Sequence, residues 1–526
     1  MMEDFNQNYD SIMSEFRSNV ISWYPFKENS NILEINEESS KVSDELRKNG
    51  SNLEIIDDIS HFDNKEKKYD YIVILGLEKY EKKYKDVIHF AKKHINKEGT
   101  ILFSCTNKYG LKNFVTDCRI EEDKFDGISK NEIKKCLDEL KISDYKFYYL
   151  LPDYRNVSVI FTDEYLPNKE NIQRDFNLYS KDDVKAFKDE RETYKKIIAE
   201  DEKLFEFFSN SYLVEISSKR QPIHFVSFNN YRKANYRLKT IMMDDVVCKQ
   251  AVNESGQIHI EQVKKNIDIL NNLNIKILDR YEDNSIYSQI IEEDKSLDKI
   301  IIDYISDNKT EEAVSLIDKF VEYIKNKLLI EKAGEISVFK KYNINIPQEI
   351  DGKLHYTKYG FLDLIFQNCF YFNDQFYFYD QEWLEENLPI EFIIYRAIEY
   401  LGNTFKIFDK NTFLEKYELK EFIEYFEKLE KCILHEIRDE DIWNIHAMNN
   451  MTIKTLNDTG IHYRNLKALA DQDIEKRREE VIGKDKQIQE LMEENHKLRS
   501  ELEVIKNSKS WKMTKPLRDM IKKIRN

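Results

Sequence analysis

Short β-branched runs alternate with helix-period stretches from about Asn31 to Ile160: ILEI (Ile32–Ile35), YDYIVIL (Tyr69–Leu75), a helical pattern around Val87, Ile88 and Ala91, then GTILFSC (Gly99–Cys105). Strand, helix, strand in this order predicts a parallel sheet of doubly wound type covered by helices. Tyr145–Leu151 and Val157–Phe161 flank a Pro152–Asp153 turn and predict an antiparallel pair closing that sheet. From Pro167 to about Phe208 the chain is polar with apolar residues near every third or fourth place, which predicts a connecting helix. Four strand-like runs follow between Tyr212 and Val252 (YLVEIS, IHFVSF, YRLKTIMM, VVCKQAV), the pattern of an antiparallel meander. Helical patterns run from Ile260 to about Glu436, interrupted by one hairpin at Cys369–Tyr379 with Asn373–Asp374 at its turn. The expected fold class is α/β: a Rossmann-like domain, then a bilobal α+β domain, then a C-terminal coiled coil.

The coiled coil is read from a heptad with Ile474, Val481, Ile488, Asn495 and Leu502 at a, and Leu491, Leu498 and Ile505 at d; the first two d places are the polar Arg477 and Lys484. An Asn at one a position fixes register at some cost in stability, so self-association is expected. A long amphipathic helix folded back on its own domain fits the same narrow seam. The last 21 residues carry Lys506, Lys509, Lys512, Lys515, Arg518, Lys522, Lys523 and Arg525 against Asp519, a local net charge of +7. Trp511, Met513, Leu517, Met520, Ile521 and Ile524 give that tail an apolar side. A basic amphipathic segment suits an anionic membrane surface, and equally a solvated tail or a protein-docking helix.

Composition narrows the classes of function. The 526 residues are enough for two to four folding units. A formal charge of −16 disfavours sequence-independent nucleic-acid binding, so any basic surface must be local. Six cysteines without close pairing (Cys105, Cys118, Cys136, Cys248, Cys369, Cys432) argue against a disulfide framework or zinc ribbon and for a reducing, cytoplasmic compartment. The ten histidines show no HExxH or paired ligand spacing, and the N-terminus MMEDFNQNYD lacks the basic and apolar regions of a signal peptide.

The strongest chemical constellation lies in the second half. LDLIFQN sets Asp363 five residues before Asn368, and the hairpin then delivers Asp380 in YFYDQEW. Phosphoryl transfer needs such a set: a carboxylate to accept the attacking hydroxyl's proton, and an amide oxygen plus a second carboxylate to hold magnesium on nucleotide phosphates. VVCKQAV supplies Lys249 on a strand, where an ammonium can pair with phosphates. With these residues the section from about Tyr212 to Glu436 resembles a divergent protein-kinase-like fold. The resemblance implies Asp363 as catalytic base, Asn368 and Asp380 as metal ligands, Lys249 as the nucleotide-binding lysine, and Glu261 on the following helix as its ion-pair partner. Three departures stand out: Phe361 and Leu362 replace the usual His-Arg, Asp380–Gln381–Glu382 replaces Asp-Phe-Gly, and the phosphate-covering loop FNNYRKANYRLKT holds no glycine. Ordinary turn or surface acids are the bland alternative for Asp363 and Asp380.

Residues 20–220 resemble class I S-adenosylmethionine-dependent methyltransferases, through Trp23–Phe26 (WYPF), Asn107–Lys112 (NKYGLK) and PDYRNVSVIFTDEYLP (Pro152–Pro167). Such enzymes follow the first strand with glycines, because the backbone must approach the cofactor closely. Here the first strand leads into Asn36, Glu37, Glu38, Ser39 and Ser40. The resemblance implies Glu34 and Asn36 at the cofactor loop and Asp57 as the ribose-binding carboxylate, in a retained fold with a degenerate site for S-adenosylmethionine.

The domain order expected is 1–166 methyltransferase-like, 167–210 helical linker, 211–455 kinase-like, 456–505 helix and coiled coil, and 506–526 basic tail. That order resembles the bifunctional kinase–methyltransferase chain terminators of bacterial surface polysaccharides. It implies an ATP- and magnesium-dependent transferase phosphorylating a glycan hydroxyl, at the inner face of the cell membrane. The partners implied are a glycan or lipid-linked glycan acceptor, glycosyltransferases, an anionic membrane surface and further copies of the chain, with no nucleic acid. Two other readings stay open: a catalytically silent coiled-coil scaffold that recruits glycosyltransferases, and an atypical methyltransferase.

Overall fold

The structure is a computed structural model that describes residues 14–35, 39–62, 66–115, 127–168, 197, 201–291, 295–328, 330–331, 337–402, 410–442, 497–504, 506–514 and 518. The chain forms two compact units, residues 1–453 and 454–526. Most of the connecting helix expected over 167–208 lies outside the described residues, which include its end as the short turns Glu202–Leu204 and Phe205–Phe208, and the coil expected over 474–505 is described only at 497–504.

The first unit is built on one twelve-stranded sheet. Its strands are β1 (Asn31–Ile35), β2 (Asn52–Ile56), β3 (Tyr69–Ile74), β4 (Ile95–Thr106), β5 (Tyr145–Leu151), β6 (Val159–Thr162), β7 (Ser211–Ile216), β8 (Ile223–Phe228), β9 (Leu238–Met243), β10 (Val246–Ala251), β11 (Asp279–Glu282) and β12 (Ser285–Gln289). They lie in the order β11-β12-β10-β9-β8-β6-β5-β7-β4-β3-β1-β2. The run β2-β1-β3-β4 is parallel, as the alternating pattern predicts. Ile32, Leu33 and Ile35 of β1 are fully buried on both faces, the usual state of a parallel strand covered on two sides. Helices α1 (Ser40–Arg47), α2 (Tyr84–His94) and α3 (Lys130–Glu139) supply that cover. Val42 and Leu46 of α1 pack on one face with Trp23 and Tyr24, while Val87, Ile88 and Ala91 of α2 and Ile133 and Leu137 of α3 pack on the other. This part of the chain is Rossmann-like.

Two expectations are corrected here. Ser211–Ile216, assigned from the sequence to the second module, inserts antiparallel between β4 and β5. Its first five residues are buried, which suits a central strand and not the half-buried edge of a meander. Buried Glu215 is tolerated there because the Tyr24 and Tyr148 hydroxyls donate to its two carboxylate oxygens, each at 2.8 Å. The boundary near residue 210 therefore does not separate two sheets. Nor does the β5–β6 pair close the first sheet, since β6 pairs onward with β8 and carries the sheet into the second module.

That module begins with the antiparallel run β8-β9-β10, extended by β12 and β11. Helix α4 (Gln257–Asn272) connects β10 to β11. Strands β11 and β12 are a hairpin that the helical reading of 260–436 overlooked; its turn, Asp283–Asn284, has φ of 46° and 59°, the left-handed values such tight turns require. Helices α5 (Leu297–Ser306) and α6 (Thr310–Lys327) follow, then β13 (Ile330–Glu331), β14 (Tyr356–Phe361), the hairpin β15 (Cys369–Phe372) and β16 (Gln375–Phe378), β17 (Leu384–Pro389), α7 (Ile390–Gly402) and α8 (Ile423–Ile437). The β15–β16 hairpin turns at Asn373–Asp374 as predicted, both with positive φ. β14 pairs with β13 and β17 in a small separate sheet. Ile317 and Phe320 of α6, Phe392 and Ile393 of α7, and Phe426 and Leu429 of α8 fill the core beneath the hairpin.

In the second unit residues 497–504 are helical, with Leu498 and Leu502 57% and 50% exposed, and a short helix spans Lys509–Met513. No helix among the described residues is long and apolar enough to cross a membrane. The five described cysteines are free thiols.

Candidate functional site

Lys249 lies in the middle of β10, between Thr240 of β9 and Ile286 of β12. Strand alternation turns its side chain to the sheet face that meets the segment after β16. There its ammonium pairs with Asp380 and, at 2.6 Å, with Glu382. Burial alone would lower the pKa of Lys249, but the two carboxylates outweigh it and hold the group above its ordinary range.

The β15–β16 hairpin delivers Asp380, which adopts a left-handed backbone with φ of 60°. Its N–H donates to Asp279 Oδ2 of β11 at 2.8 Å. Burial raises the pKa of Asp380 against the pull of Lys249. Asp279 is likewise pushed up to about 6, by burial first and then by the charge of Asp380. Asp363 follows β14, and its Oδ2 accepts the N–H groups of Glu382 and Trp383 at 3.1 and 3.2 Å. Burial, then the neighbouring Asp380, pushes its carboxyl up to about 7, with Arg396 pulling the other way. Asn368 donates Nδ2 to Asp363 O at 3.4 Å, which turns its amide oxygen away from that carbonyl. Asp363, Asn368, Asp380 and Lys249 are thus brought to one place from β10, β14 and the two ends of a hairpin.

Glu261 does not join them. It lies on α4 but accepts the Tyr281 hydroxyl at 2.6 Å and sits 3.8 Å from Lys264, while Lys249 takes its partners from the segment after β16. The residues of α4 that reach the site are His259, 3.2 Å from Glu382, and Asn266, whose Nδ2 donates to the Gln381 and Glu382 carbonyls at 3.1 and 3.0 Å. Trp383 stacks on His259 at 4.5 Å, with the Arg232 guanidinium 5.2 Å from its centroid. Glu382 is the residue the sequence concealed. In the motif comparison it was only a departure from Asp-Phe-Gly, yet it is 3% exposed and receives Lys249, Arg232 and His259. Arg232 first and then Lys249, with the His259 ring hydrogen-bonded beside them, overcome burial and hold its carboxyl well below the usual range.

Arg232 belongs to the β8–β9 loop, the glycine-free segment expected to cover phosphates. The loop is fastened at both ends. Asn230 donates to Val157 O and Ser158 Oγ at 3.3 and 3.2 Å, and Lys233 N–H donates to Ile437 O at 2.9 Å. Asp439 N–H in turn donates to Tyr231 O at 2.8 Å.

A second cluster occupies the carboxyl ends of the parallel strands, the usual ligand edge of a Rossmann-like sheet. Glu34 is 1% exposed and accepts the Ser43 hydroxyl of α1 at 2.7 Å, so its carboxylate holds helix to strand. Asp57 stands exposed just past β2, and Asn36 lies outside the described residues. After β4, Lys112 of the NKYGLK segment pairs with buried Asp153 at 2.6 Å. Burial opposes ionisation of Asp153, but Lys112 and then Arg155 bring it down to about 2. Glu78 accepts the Thr106 and Tyr154 hydroxyls at 2.9 and 3.0 Å. The glycine of that motif is steric: a Cβ on Gly110 would stand 2.8 Å from the Asn210 Cα, which leads into β7.

Among the described residues no three His, Cys, Asp or Glu side chains form a metal-binding group. Magnesium on a nucleotide would need fewer, since water and phosphate oxygens complete its shell, and Asn368 and Asp380, whose side chain is 36% exposed, are the residues that could hold it.

No family model matches the chain, and no curated protein matches its sequence. Similar solved structures include a SAM-dependent methyltransferase of Thermotoga maritima described as a possible histamine N-methyltransferase, at 10% identity over 41% of this chain and 95% of that one, TM-score 0.23. The plantazolicin methyltransferase BpumL in complex with a monoazolic desmethylPZN analogue and SAH aligns at 13% identity over 41% of this chain and 90% of that one, TM-score 0.22. A cyclopropane-fatty-acyl-phospholipid synthase-like protein from Lactobacillus casei aligns at 9% identity over 40% and 92%, TM-score 0.22. These likenesses concern the fold of about two-fifths of the chain.

Proposed function

We propose that the second half of the chain is a magnesium- and ATP-dependent phosphotransferase acting on a hydroxyl. One observation carries this reading: Lys249 pairs with Asp380 across 131 positions of sequence, beside an Asp363 carboxyl held near neutrality. Bound Mg-ATP would supply the phosphoryl group, the γ-phosphorus bonding to the acceptor oxygen as its bond to the β-phosphate oxygen breaks and ADP leaves. The chain's own residues would do the rest: Lys249 would orient phosphates, Asn368 and Asp380 would hold the metal, and Asp363 would take the proton of the incoming hydroxyl. A base is most effective when its pKa lies near the working pH, which is where Asp363 stands. Mg-ATP is expected to raise the melting temperature of the full chain, and Asp380→Ala to abolish the rise. A parent protein whose melting temperature does not move would overturn this reading.

The acceptor class follows from the resemblance in domain order: a glycan hydroxyl of a bacterial surface polysaccharide, handled at the inner face of the membrane alongside glycosyltransferases. Exposed Leu498 and Leu502 at heptad d and a support self-association through residues 474–505. Light scattering should give a multiple of the chain mass for the full protein and a single mass after truncation at residue 453.

A second reading is an atypical S-adenosylmethionine methyltransferase. It is favoured by exposed Asp57 at the carboxyl edge of a parallel β2-β1-β3-β4 run. Calorimetric titration with S-adenosylmethionine tests it, and absence of heat at millimolar cofactor ends it.

A further inference from the structure

In a nucleotide site built around a strand lysine, the ammonium needs a carboxylate that holds it extended without binding the metal itself. The helix packed over the strand is the expected source, yet α4 presents His259 and Asn266 toward the site and points Glu261 at Tyr281. Asp380 pairs with Lys249, but as a metal ligand its charge would be shared with magnesium. Glu382 remains. Its carboxylate is buried, lies 2.6 Å from Lys249, pairs with Arg232 through its other oxygen, and is steadied by His259.

We infer that Glu382 is the positioning residue of this site, holding Lys249 and Arg232 side by side as a two-cation clamp for the phosphates of a nucleoside triphosphate. The β8–β9 loop explains why a second cation is required. Without glycine it cannot bring its backbone N–H groups close around phosphate, and its 21%-exposed Arg232 side chain offers a guanidinium in their place. The loop is fixed to Val157 and Ser158 on one side and to Ile437 on the other, so the guanidinium is presented from a rigid segment. Glu382 sits two residues from Asp380, its backbone N–H bonded to Asp363 and its carbonyl to Asn266. The clamp therefore travels with the metal-binding segment and does not depend on a swing of α4.

The inference rests on the phosphotransferase reading, and one set of titrations separates the two. Mg-ATP and adenosine are titrated calorimetrically into the full-length parent, Glu382→Gln, Arg232→Met, Lys249→Met and the Lys249→Met/Glu382→Gln double variant, with melting curves confirming that each is folded. Glu382→Gln and Arg232→Met are each expected to weaken Mg-ATP by roughly ten- to a hundredfold, the loss of one charge-assisted contact, while leaving adenosine affinity unchanged. The double variant should lose less Mg-ATP affinity than the two single losses added together, because part of what Glu382 does passes through Lys249 and the remainder through Arg232. Equal losses for Mg-ATP and adenosine would mark Glu382 as merely structural and overturn the clamp. So would a Glu261→Gln variant that loses Mg-ATP while Glu382→Gln keeps it, with the phosphotransferase reading left standing. A parent that binds neither ligand overturns both. If Glu382→Gln does not fold, the Arg232→Met and Lys249→Met pair decides the question by the same ATP-to-adenosine contrast.

Discussion

Asp279 of β11 accepts the backbone N–H of Asp380 at 2.8 Å, so the far edge of the long sheet holds the residue that Lys249 pairs with. The two are 101 positions apart in the chain. Removing the acceptor leaves a buried N–H without its partner, and Asp279→Ala should cost about 1–3 kcal/mol in urea unfolding. The pH dependence has a definite sign. Asp279 is raised from 3.8 to about 6 on folding, so its contribution is fully present below the lower value and fades as pH rises through the higher one. The deficit of the variant should be larger near about pH 5 than near about pH 7.5; a deficit that grows with pH contradicts the assignment.

Asp363 predicts a kinetic profile. With its carboxyl pushed up to about 7 by burial and by Asp380, the fraction of ionised base rises through neutrality. Phosphotransfer kcat/KM should climb with pH and level off, with the rise falling below the metal-free value because magnesium on Asp380 offsets the charge that raises Asp363. Asp363→Asn should lower kcat by roughly a hundred- to ten-thousandfold, the usual contribution of a general base, while Mg-ATP still raises the melting temperature. A flat profile in the parent, or a variant that keeps the parent's rise with pH, would remove Asp363 from this role.

In the Rossmann-like part the test concerns stability. Asp153 is depressed from 3.8 to about 2 by Lys112 and Arg155 acting against burial, so its contribution is present above the upper value and lost as pH falls through the lower. Asp153→Asn should therefore destabilise the protein by about 2 kcal/mol near neutral pH. Denaturant midpoints of parent and variant should converge as the solution is acidified toward the folded value, and parallel curves would argue that the ion pair contributes nothing.

Much of this was legible in the sequence for a local reason. Strands β1 and β3 are short apolar runs largely buried on both faces, and the β15–β16 hairpin announces itself by Asn373–Asp374 between aromatic runs, so each is specified by residues near one another. The spacing of Asp363 and Asn368 is equally local: a single loop carries both, and the structure brings Asp380 and Lys249 to it. The β11–β12 hairpin was missed because its strands, DRYE and SIYSQ, alternate too weakly to outweigh the helical patterns around them.

What the sequence determined by itself was therefore most of the local elements and the spacing of Asp363, Asn368 and Asp380, since periodicity and turn chemistry act over a few residues. Which strand joins which sheet was decided only in three dimensions. Ser211–Ile216 left the second module for the buried gap between β4 and β5, and β6 met β8 to fuse the two sheets. The partner of Lys249 was decided the same way. A buried ammonium takes whichever carboxylates the fold brings within reach, and these came from Asp380 and Glu382, more than a hundred residues downstream, and not from the helix beside it.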